Sequence, residues 1–484
     1  MVQSFDETIC APATLPGTGA VSLIRLSGPK ALETADKVLV CRNGDVASTP
    51  GYRMKFASID GPDGKLLDEV VACVYHAPHS YTGEDSVEIT CHASAYIVDC
   101  ILQKLCAAGA RMALPGEFTQ RAFVNGRMDL AQAEAVADVI AAQSAAAHRI
   151  AMNQLKGGFS AELSEMRAEM LRLVSLLELE LDFSEEEVEF ADRTALLELV
   201  DATSAHVQRL VESFRLGNAI KNGIPVAIVG PVNAGKSTLL NALIGEDRAI
   251  VSDIAGTTRA SIEATLNLGG QMFRFIDTAG LRDTEETIEK IGIERSYKAL
   301  EKADIVLAVF DAKTDAATLE EEFYDICSHI DFERQRLVPV LNKIDLLGAA
   351  ESCSYDEKLT VNTFVNLSNG FVTNADGKGV ASVIRISAAT GAGMDKLREF
   401  LSDYAAETSR RSDGTLVTNL RHLEALKSAG ASLARVREGL TTSLPTDLVA
   451  QDLRESLYHI GSIVGEISTD EVLGEIFGKF CIGK

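Results

Sequence analysis

Residues 230–237 have the sequence GPVNAGKS, which matches the phosphate-binding pattern G-x-x-x-x-G-K-[ST]. The pattern follows the apolar segment IPVAIVG and precedes TLLNALIG, so it lies between a predicted strand and a predicted helix. Glycines let backbone N–H groups close around phosphate oxygens, and a helix N-terminus favours negative charge. Lys236 is expected to reach the β- and γ-phosphates of a nucleotide and Ser237 to ligate Mg²⁺. The predicted phosphate-side residues are Asn233, Ala234, Gly235, Lys236, Ser237 and Thr238.

Two further motifs at the ends of apolar segments predict recognition of guanine. NKID (342–345) follows RLVPVL, and the Asp345 carboxylate can accept from guanine N1–H and N2–H₂, donors that adenine does not offer. SAA (387–389) follows a third apolar segment and offers a backbone N–H to the guanine oxygen. The predicted base-side residues are Asn342, Lys343, Asp345, Ser387 and Ala388.

The segments SDIAGTTR (252–259) and DTAG (277–280) complete a set that resembles the five motifs of translation-factor-like GTPases. Asp277 would lie beside the metal, and the N–H of Gly280 would lie near the γ-phosphate. In Ras-like GTPases a glutamine after this DxxG motif orients the attacking water; here the position holds Leu281, so another group must do so. The further predicted GTP-binding residues are Ser252, Asp253, Ile254, Ala255, Gly256, Thr257, Thr258, Asp277, Thr278, Ala279 and Gly280.

The order of segments indicates a multidomain protein with α/β and all-α parts. Residues 1–116 are mixed α/β, residues 117–217 and 408–484 are helical, and residues 218–407 alternate strands with helices. Near-continuous apolar strands between helices indicate a mostly parallel sheet covered on both faces, whereas ASIEATLNLG alternates as an edge strand does. We therefore predict a Ras-like P-loop G domain inserted into a discontinuous helical domain, with a polar insertion at 349–380 that forms loops or a short hairpin.

Two local patterns predict helices within residues 117–217. Asp129 and Gln132 form a capping box before LAQAEAVADVIAAQ. A second segment repeats apolar residues every three or four positions, which predicts a packed helix face. That face consists of Leu163, Met166, Met170, Leu173 and Leu177.

Composition restricts the class of protein. The 484-residue chain carries a net charge of −24, a field that opposes nucleic-acid binding unless a local basic patch or a partner supplies the contacts. Its apolar runs fall short of the roughly 18 residues that span a bilayer, and the N-terminus has no signal-peptide pattern. Nine scattered cysteines without a C-x-x-C pair argue against metal or disulfide frameworks and for a reducing cytoplasm.

Four separated segments resemble, in order, the MnmE (TrmE) family of tRNA-modification GTPases. They are ATLPGTGAVSLIRLSG (13–28), YTGEDSVEI (81–89), PGEFTQRAFVNGRMDLAQAEAVADVI (115–140) and the terminal CIGK. Era-like ribosome-assembly GTPases share the nucleotide motifs but not these segments. The resemblance implies an N-terminal tetrahydrofolate-binding-like domain that dimerises.

The resemblance implies that K⁺ activates GTP hydrolysis when two G domains meet. A cation that bridges phosphate charge can replace an arginine finger. Alignment through EKIGIE assigns the water-orienting glutamate to Glu289, and Arg282 in DTAGLRD is a further catalytic candidate. The matching ligands are, for K⁺, Asn233, Ser252, Ile254 and Thr257 and, for Mg²⁺, Ser237 and Thr258.

The resemblance also implies that 5-formyltetrahydrofolate or a related tetrahydrofolate binds as the one-carbon source. Carboxylates of its glutamate tail suit Arg and Lys, and donors on its pterin edge suit Glu. Taken singly, Arg25 and Glu88 could equally form a surface salt bridge. The matching folate-binding residues are Arg25, Glu88, Arg127 and Lys484.

Cys481, in the terminal FCIGK, has three interpretations. A prenylation box is disfavoured because Gly483 is not aliphatic and Lys484 is a poor last residue. The family resemblance makes Cys481 the candidate nucleophile, whose thiolate adds to C6 of a uridine and activates C5. The thiol could also be an inert part of the tail.

The resemblance further implies a flavin- and NADH-using partner, MnmG, and a tRNA substrate whose wobble uridine receives an aminomethyl or carboxymethylaminomethyl group at C5. The chain has no G-x-G-x-x-G after a strand, so the flavin would belong to the partner. Three functions stand open: a GTP-gated uridine-modifying enzyme, a switch that binds only GTP and a partner, and a ribosome-assembly GTPase. The N-terminal segments and FCIGK argue against the third.

Overall fold

The protein divides into two compact units in a computed structural model. The first comprises Met1–Ala141, Ala151–Gln208 and Glu424–Lys484, and the second comprises Ala142–Ile150 and Arg209–Leu423. The predicted domain boundaries at 116/117, 217/218 and 407/408 stay a prediction. The structure describes residues 6–182, 193–245, 264–276, 300–347, 379–380, 382–411, 414–442, 444–466 and 470–483.

A seven-stranded sheet forms the N-terminal part of the first unit. Its strands are β1 (Ile9–Pro12), β2 (Ser22–Ser27), β3 (Val40–Cys41), β4 (Arg53–Asp60), β5 (Leu66–Tyr75), β6 (Ser86–Cys91) and β7 (Arg111–Met112). Their order is β3-β4-β5-β6-β2-β1-β7, antiparallel apart from the β1–β7 pair. Ile24 and Leu26 of β2 are fully buried in the core. Because side chains alternate along a strand, Arg25 between them lies on the other face of the sheet.

Among residues 6–182 and 193–222, which the structure describes, seven helices follow or interrupt these strands: α1 (Ala31–Val38), α2 (Ala95–Ala107), α3 (Glu117–Val124), α4 (Leu130–Ala141), α5 (Ala145–Leu155), α6 (Gly158–Asp182) and α7 (Arg193–Asn222). The capping box predicted before α4 is confirmed. The N–H of Asp129 donates to Gln132 Oε1 at 2.9 Å, and the N–H of Gln132 donates to Asp129 Oδ1 at 2.8 Å. The predicted apolar face of α6 is also confirmed, because its five residues are each at most 2% exposed.

The second unit contains a mostly parallel sheet, as predicted. Its strands are β8 (Ile224–Val229), β9 (Ala264–Leu268), β10 (Gln271–Phe275), β11 (Ile305–Asp311), β12 (Arg336–Asn342), β13 (Gly379–Val380) and β14 (Ile384–Arg385). The order is β13-β12-β11-β8-β10-β9, and β14 also pairs with β12. Only β9, the predicted edge strand, is antiparallel to its neighbour among the described strands. The last two residues of the predicted insertion, 379–380, form β13.

Helices cover both faces of this sheet. Among the described residues of the second unit these helices are α8 (Lys236–Gly245), α9 (Ala316–Cys327) and α10 (Met394–Arg411). Alternate residues of β8 are buried in the two hydrophobic clusters on the two faces of the sheet. Val226 and Ile228 belong to one cluster, and Ala227 and Val229 belong to the other. This double burial explains why its sequence is continuously apolar.

The described residues after 413 form three helices, α11 (Leu420–Thr441), α12 (Thr446–Val464) and α13 (Asp470–Phe477). Leu473 and Phe477 of α13 pack with Leu130 and Ala133 of α4 in a small apolar cluster. This packing anchors the last helix before the terminal residues.

In the part of the chain that the structure describes, no helix is long and apolar enough to cross a membrane. The eight cysteines in that part are free thiols.

Candidate functional site

The loop between β8 and α8 is shaped by residues with left-handed backbone. Gly230 has φ 139°, Asn233 has φ 64° and Gly235 has φ 92°. A Cβ on Gly230 would lie 2.0 Å from the Val309 carbonyl oxygen, and one on Gly235 would lie 2.2 Å from Asn342 Nδ2. Glycine is therefore required at both positions, because a side chain would displace the backbone of Val309 at the first and the side-chain amide of Asn342 at the second.

Lys236 lies at the start of α8 and turns back over this loop. Its Nζ donates to the carbonyl oxygens of Gly230 at 2.8 Å and Pro231 at 2.7 Å. Burial lowers the pKa of Lys236. Ser237 and Thr238 are exposed in the first turn of α8, where the helix dipole favours anions. The predicted phosphate-side residues thus surround one helix N-terminus.

Asn342, at the end of β12, joins three of the predicted segments. Its Nδ2 donates to the Ala234 carbonyl oxygen at 2.9 Å, and its Oδ1 accepts from the Ala388 N–H at 3.0 Å. The residue is 2% exposed. One buried amide therefore connects the phosphate loop to the SAA segment, with both of its polar ends satisfied.

The other base-side residues are also held by side-chain contacts. Ser387 Oγ donates to Asp345 Oδ1 at 2.5 Å, which orients the carboxylate predicted to read guanine. Lys343 Nζ contacts Asp311 Oδ2 at 2.7 Å. The structure thus brings together the predicted phosphate-side and base-side residues of the second unit.

Several predicted site residues lie outside the described residues. They are Ser252, Asp253, Ile254, Ala255, Gly256, Thr257, Thr258, Asp277, Thr278, Ala279, Gly280, Arg282, Glu289 and Lys484.

A second candidate site lies on the N-terminal sheet, where Arg25 of β2 is directly opposite Glu88 of β6. Arg25 Nε and Nη2 donate to Glu88 Oε1 at 3.0 and 2.9 Å. The guanidinium carbon lies 5.0 Å from the ring centre of Tyr81 and 5.6 Å from that of Phe118. Arg25 is therefore held by one carboxylate and two aromatic rings.

The C-terminal tail lies against this same site. Phe477 packs on Gly116, where a Cβ would lie 2.5 Å from the Phe477 carbonyl oxygen. Gly483, with φ 97°, packs so closely on Pro12 that a Cβ would lie 2.2 Å from the Pro12 oxygen. Arg25 Nη1 donates to the Gly483 carbonyl oxygen at 3.3 Å. Cys481 is exposed between these two anchor points.

Arg127 follows α3 and is exposed. A Cβ on Gly83 would lie 3.2 Å from Arg127 Cγ. The Arg127 stem therefore packs on the loop that also carries Tyr81. Three of the four predicted folate-binding residues therefore have described contacts in the first unit: Arg25, Glu88 and Arg127. The fourth, Lys484, is outside the described residues.

Sequence reasoning missed a buried ion network beside Arg25. Arg121 is fully buried and contacts Glu117 at 2.9 Å and Glu84 at 3.1 Å. Burial alone would raise the pKa of Glu117, but the hydrogen bonds from Arg111 and Arg121 hold it below its usual value. The spacing of Glu117 and Arg121, four residues apart on a helix, was the available signal. The network locks α3, and with it Phe118, onto the loop of Tyr81.

Sequence reasoning also missed Tyr81 and Phe118, for which no such spacing signal exists. Both occur within segments that carry the family resemblance, but neither has a distinctive spacing to Arg25 in sequence. Tyr81 is fixed because its hydroxyl contacts Thr119 Oγ1 at 2.8 Å. Only the folded sheet shows that these rings lie on Arg25.

The parallel sheet, its phosphate loop and the Asn342 bridge define a P-loop protein of the GTPase class. Two family models match the chain: GTP-binding protein TrmE N-terminus over residues 8–127, and MnmE helical domain over residues 130–481. A relative from Parabacteroides distasonis, named tRNA modification GTPase MnmE, is 47% identical over 481 residues, covering 99% of this chain and 100% of the relative. One of the same name from Cytophaga hutchinsonii is 45% identical over 483 residues, covering 100% and 99%.

The chain therefore belongs to the MnmE family, and it is a GTPase. This confirms the resemblance and the predicted fold class of a multidomain α/β and all-α protein with a G domain. A solved structure of Era from Aquifex aeolicus bound to GDP.AlF4- is 26% identical and covers 43% of this chain and 65% of that chain, with a TM-score of 0.25.

Proposed function

We propose that this chain is a K⁺-activated GTPase that, with a flavin-dependent MnmG-type partner, modifies C5 of the wobble uridine in certain tRNAs. The added aminomethyl or carboxymethylaminomethyl group takes its carbon from a tetrahydrofolate. The chain acts in the cytoplasm as a homodimer, and GTP hydrolysis drives G-domain association and release.

The observation that carries this proposal is the position of the tail. The carbonyl of Gly483 accepts from Arg25 while Cys481 stays exposed two residues earlier. A nucleophile for uridine chemistry needs to be accessible and close to the source of the transferred carbon. The packing contacts of Phe477 and Gly483 hold Cys481 near Arg25. An inert tail thiol would not need such contacts.

The residues of the second unit fit a nucleotide with its cations. Lys236 contacts two loop carbonyls that a phosphate oxygen can replace as its partner. Glycine at 235 avoids a side chain that would lie 2.2 Å from Asn342 Nδ2, and the backbone N–H groups at the start of α8 suit a phosphate. Bound Mg²⁺ would neutralise charge on the phosphates, with Ser237 and Thr258 as its protein ligands.

The potassium proposal depends on Asn233. Its backbone is left-handed and its side chain is exposed, so its amide oxygen is accessible from outside the loop. Neutral oxygens are the ligands that K⁺ prefers in proteins. Ser252, Ile254 and Thr257 would supply the others. Glu289 would orient the water, and Arg282 would assist it.

The residues of the first unit fit a tetrahydrofolate. Arg25 presents a guanidinium that is stacked on Tyr81 and paired with Glu88, and these groups suit the carboxylates and the donor edge of that cofactor. Arg127 and Lys484 would add positive charge for its glutamate tail. The cofactor would supply a one-carbon unit to the uridine ring.

The role of Cys481 is to activate the substrate. Its thiolate would add to C6 of the uridine and make C5 nucleophilic. After C5 has bonded to the one-carbon unit, loss of the C5 proton would expel the thiolate and restore the ring double bond. In the competing function, a switch that binds only GTP and the partner, the partner performs all of this chemistry.

The test is a reconstitution with the purified chain, an MnmG-type partner, unmodified tRNA, GTP, Mg²⁺, K⁺, NADH, 5-formyltetrahydrofolate and either glycine or ammonium. Modified nucleosides are measured by mass spectrometry of digested tRNA. We expect full modification only in the complete mixture, and at least about a tenfold loss when GTP, K⁺ or the folate is omitted singly. Modification that is equal without the folate would contradict the proposed carbon source, and modification without this chain would contradict the proposed function.

A further inference from the structure

Asp311, the last residue of β11, is paired with a residue of the guanine-directed motif. Its Oδ2 contacts the Lys343 ammonium at 2.7 Å. The parallel register of β11 and β12 sets Asp311 beside Asn342, so that Lys343 comes directly after the aligned pair. The contact is therefore built into the sheet.

The Asp311 carboxylate is itself fixed. Its Oδ1 accepts from the N–H of Lys313 at 2.9 Å, which leaves Oδ2 for Lys343. Burial alone would raise the pKa of Asp311, but the hydrogen bond from Lys343 and the N–H of Lys313 hold it below its usual value. The carboxylate is thus charged at neutral pH and holds one orientation.

Both the backbone of Lys343 and the ammonium group of its side chain are held in place. Its backbone is left-handed, with φ 66°, a conformation that non-glycine residues adopt only where the surroundings fix it. The preceding Asn342 is bonded on both sides, and the Ile344 N–H donates to the Ile386 carbonyl at 3.3 Å. Asp311 fixes the ammonium group of the Lys343 side chain.

Between the backbone and the ammonium group, the methylene stem of Lys343 runs past the phosphate loop. A Cβ built on Gly235 would lie 3.9 Å from Lys343 Cε. A base whose edge reaches Asp345 and whose phosphates bind residues 233–237 must lie between these groups. The methylene stem therefore offers it an apolar surface, since a lysine stem packs well on flat apolar groups while its ammonium bonds elsewhere.

We infer that Asp311 is a positioning residue for guanine nucleotides, which acts by holding the Lys343 stem across the base subsite. This inference rests on the proposed GTP-binding residues. The alternative is a surface ion pair that contributes only stability, because the two side chains are 29% and 26% exposed and such pairs are weak.

The test measures binding to the full-length chain. The dissociation constant for GDP and the competition by inorganic tripolyphosphate, which lacks a base, are determined for wild type, Asp311→Asn, Lys343→Ala and the double variant. Asp315→Asn is the matched control, because Asp315 lies in the same loop and accepts from the Thr318 N–H at the start of α9, a role that Asn also fills. Thermal unfolding is recorded for each.

We expect Asp311→Asn to weaken GDP binding about three- to tenfold and to leave tripolyphosphate competition unchanged. In the Lys343→Ala background the same substitution should add less than about twofold, because the residue acts through Lys343. Asp311→Glu, which keeps the charge, should recover part of the affinity. Asp315→Asn should bind both probes as wild type does.

Wild-type GDP affinity in Asp311→Asn would overturn the inference. An equal loss of affinity for GDP and for tripolyphosphate in Asp311→Asn would also overturn it. So would an Asp311→Asn effect on GDP affinity that is as large in the Lys343→Ala background as in wild type. Either result indicates a general effect on the loop. Failure of the wild-type chain to bind GDP would instead overturn the proposed GTP site, which distinguishes the two failures.

Discussion

Replacement of Cys481 by serine is expected to lower tRNA uridine modification by at least about 1,000-fold while GTP turnover stays within about twofold of wild type. A serine hydroxyl is a poor nucleophile without an adjacent base, whereas the sulfur of a cysteine is intrinsically a much stronger nucleophile. The substitution changes one atom on an exposed side chain, so the anchors at Phe477 and Gly483 should persist.

Modification is measured by mass spectrometry of nucleosides after single-turnover incubation with the partner. Cys41→Ser is the matched control, because Cys41 is a second partly exposed thiol of the first unit, in β3. It should modify tRNA as wild type does. If Cys481→Ser retained full activity, the nucleophile would belong to the partner and this chain would be a GTP-dependent switch.

Replacement of Asn342 by alanine should have the second large effect, a loss of GTP affinity of at least about 100-fold with a fall in unfolding free energy of about 2–4 kcal/mol. The side chain is buried and satisfies the carbonyl of Ala234 and the N–H of Ala388. Alanine would leave both groups without this partner and would release the phosphate loop from the SAA segment.

Nucleotide affinity is measured by titration with a fluorescent GTP analogue, and stability by urea unfolding. Asn267→Ala is a matched control in the same unit, because Asn267 makes an exposed hydrogen bond to the Gln143 carbonyl at 2.9 Å. We expect it to change stability by less than about 0.5 kcal/mol. An Asn342→Ala protein that bound GTP within a few-fold of wild type would contradict the bridging role.

The sequence was most informative where chemistry and local structure coincide. A glycine-rich loop between an apolar strand and a helix predicts its own geometry, and the observed Gly230 and Gly235 conformations agree with it. NKID and SAA each follow an apolar segment, which was sufficient to predict that both contact one guanine, but the hydrogen bond between Asn342 and Ala388 was not predicted. Capping boxes and apolar helix faces could also be predicted, because both depend only on residues that are close together in sequence.

Contacts that depend on long-range register could not be predicted in this way. Arg25 and Glu88 are 63 residues apart, and only the pairing of β2 with β6 sets them opposite each other. A shift of one residue would have placed the two side chains on different faces. The resemblance named both residues, but the rings of Tyr81 and Phe118 on Arg25 follow from tertiary packing alone.

Asp311 illustrates the same limit in the second unit. In sequence it is one of many aspartates after an apolar segment, 32 residues before Lys343. Its role becomes visible once β11 and β12 are aligned in parallel register. The buried Glu117–Arg121 pair is an intermediate case, since its helical spacing was visible but its burial was not.

The proposed mechanism requires a cation that binds at Asn233 when two G domains associate. The measurement is GTP turnover by the purified chain in KCl against NaCl at equal ionic strength, for wild type and Asn233→Ala. We predict at least about tenfold faster turnover in KCl for wild type and no difference between the salts for the variant. Equal wild-type rates in the two salts would contradict the K⁺-dependent mechanism.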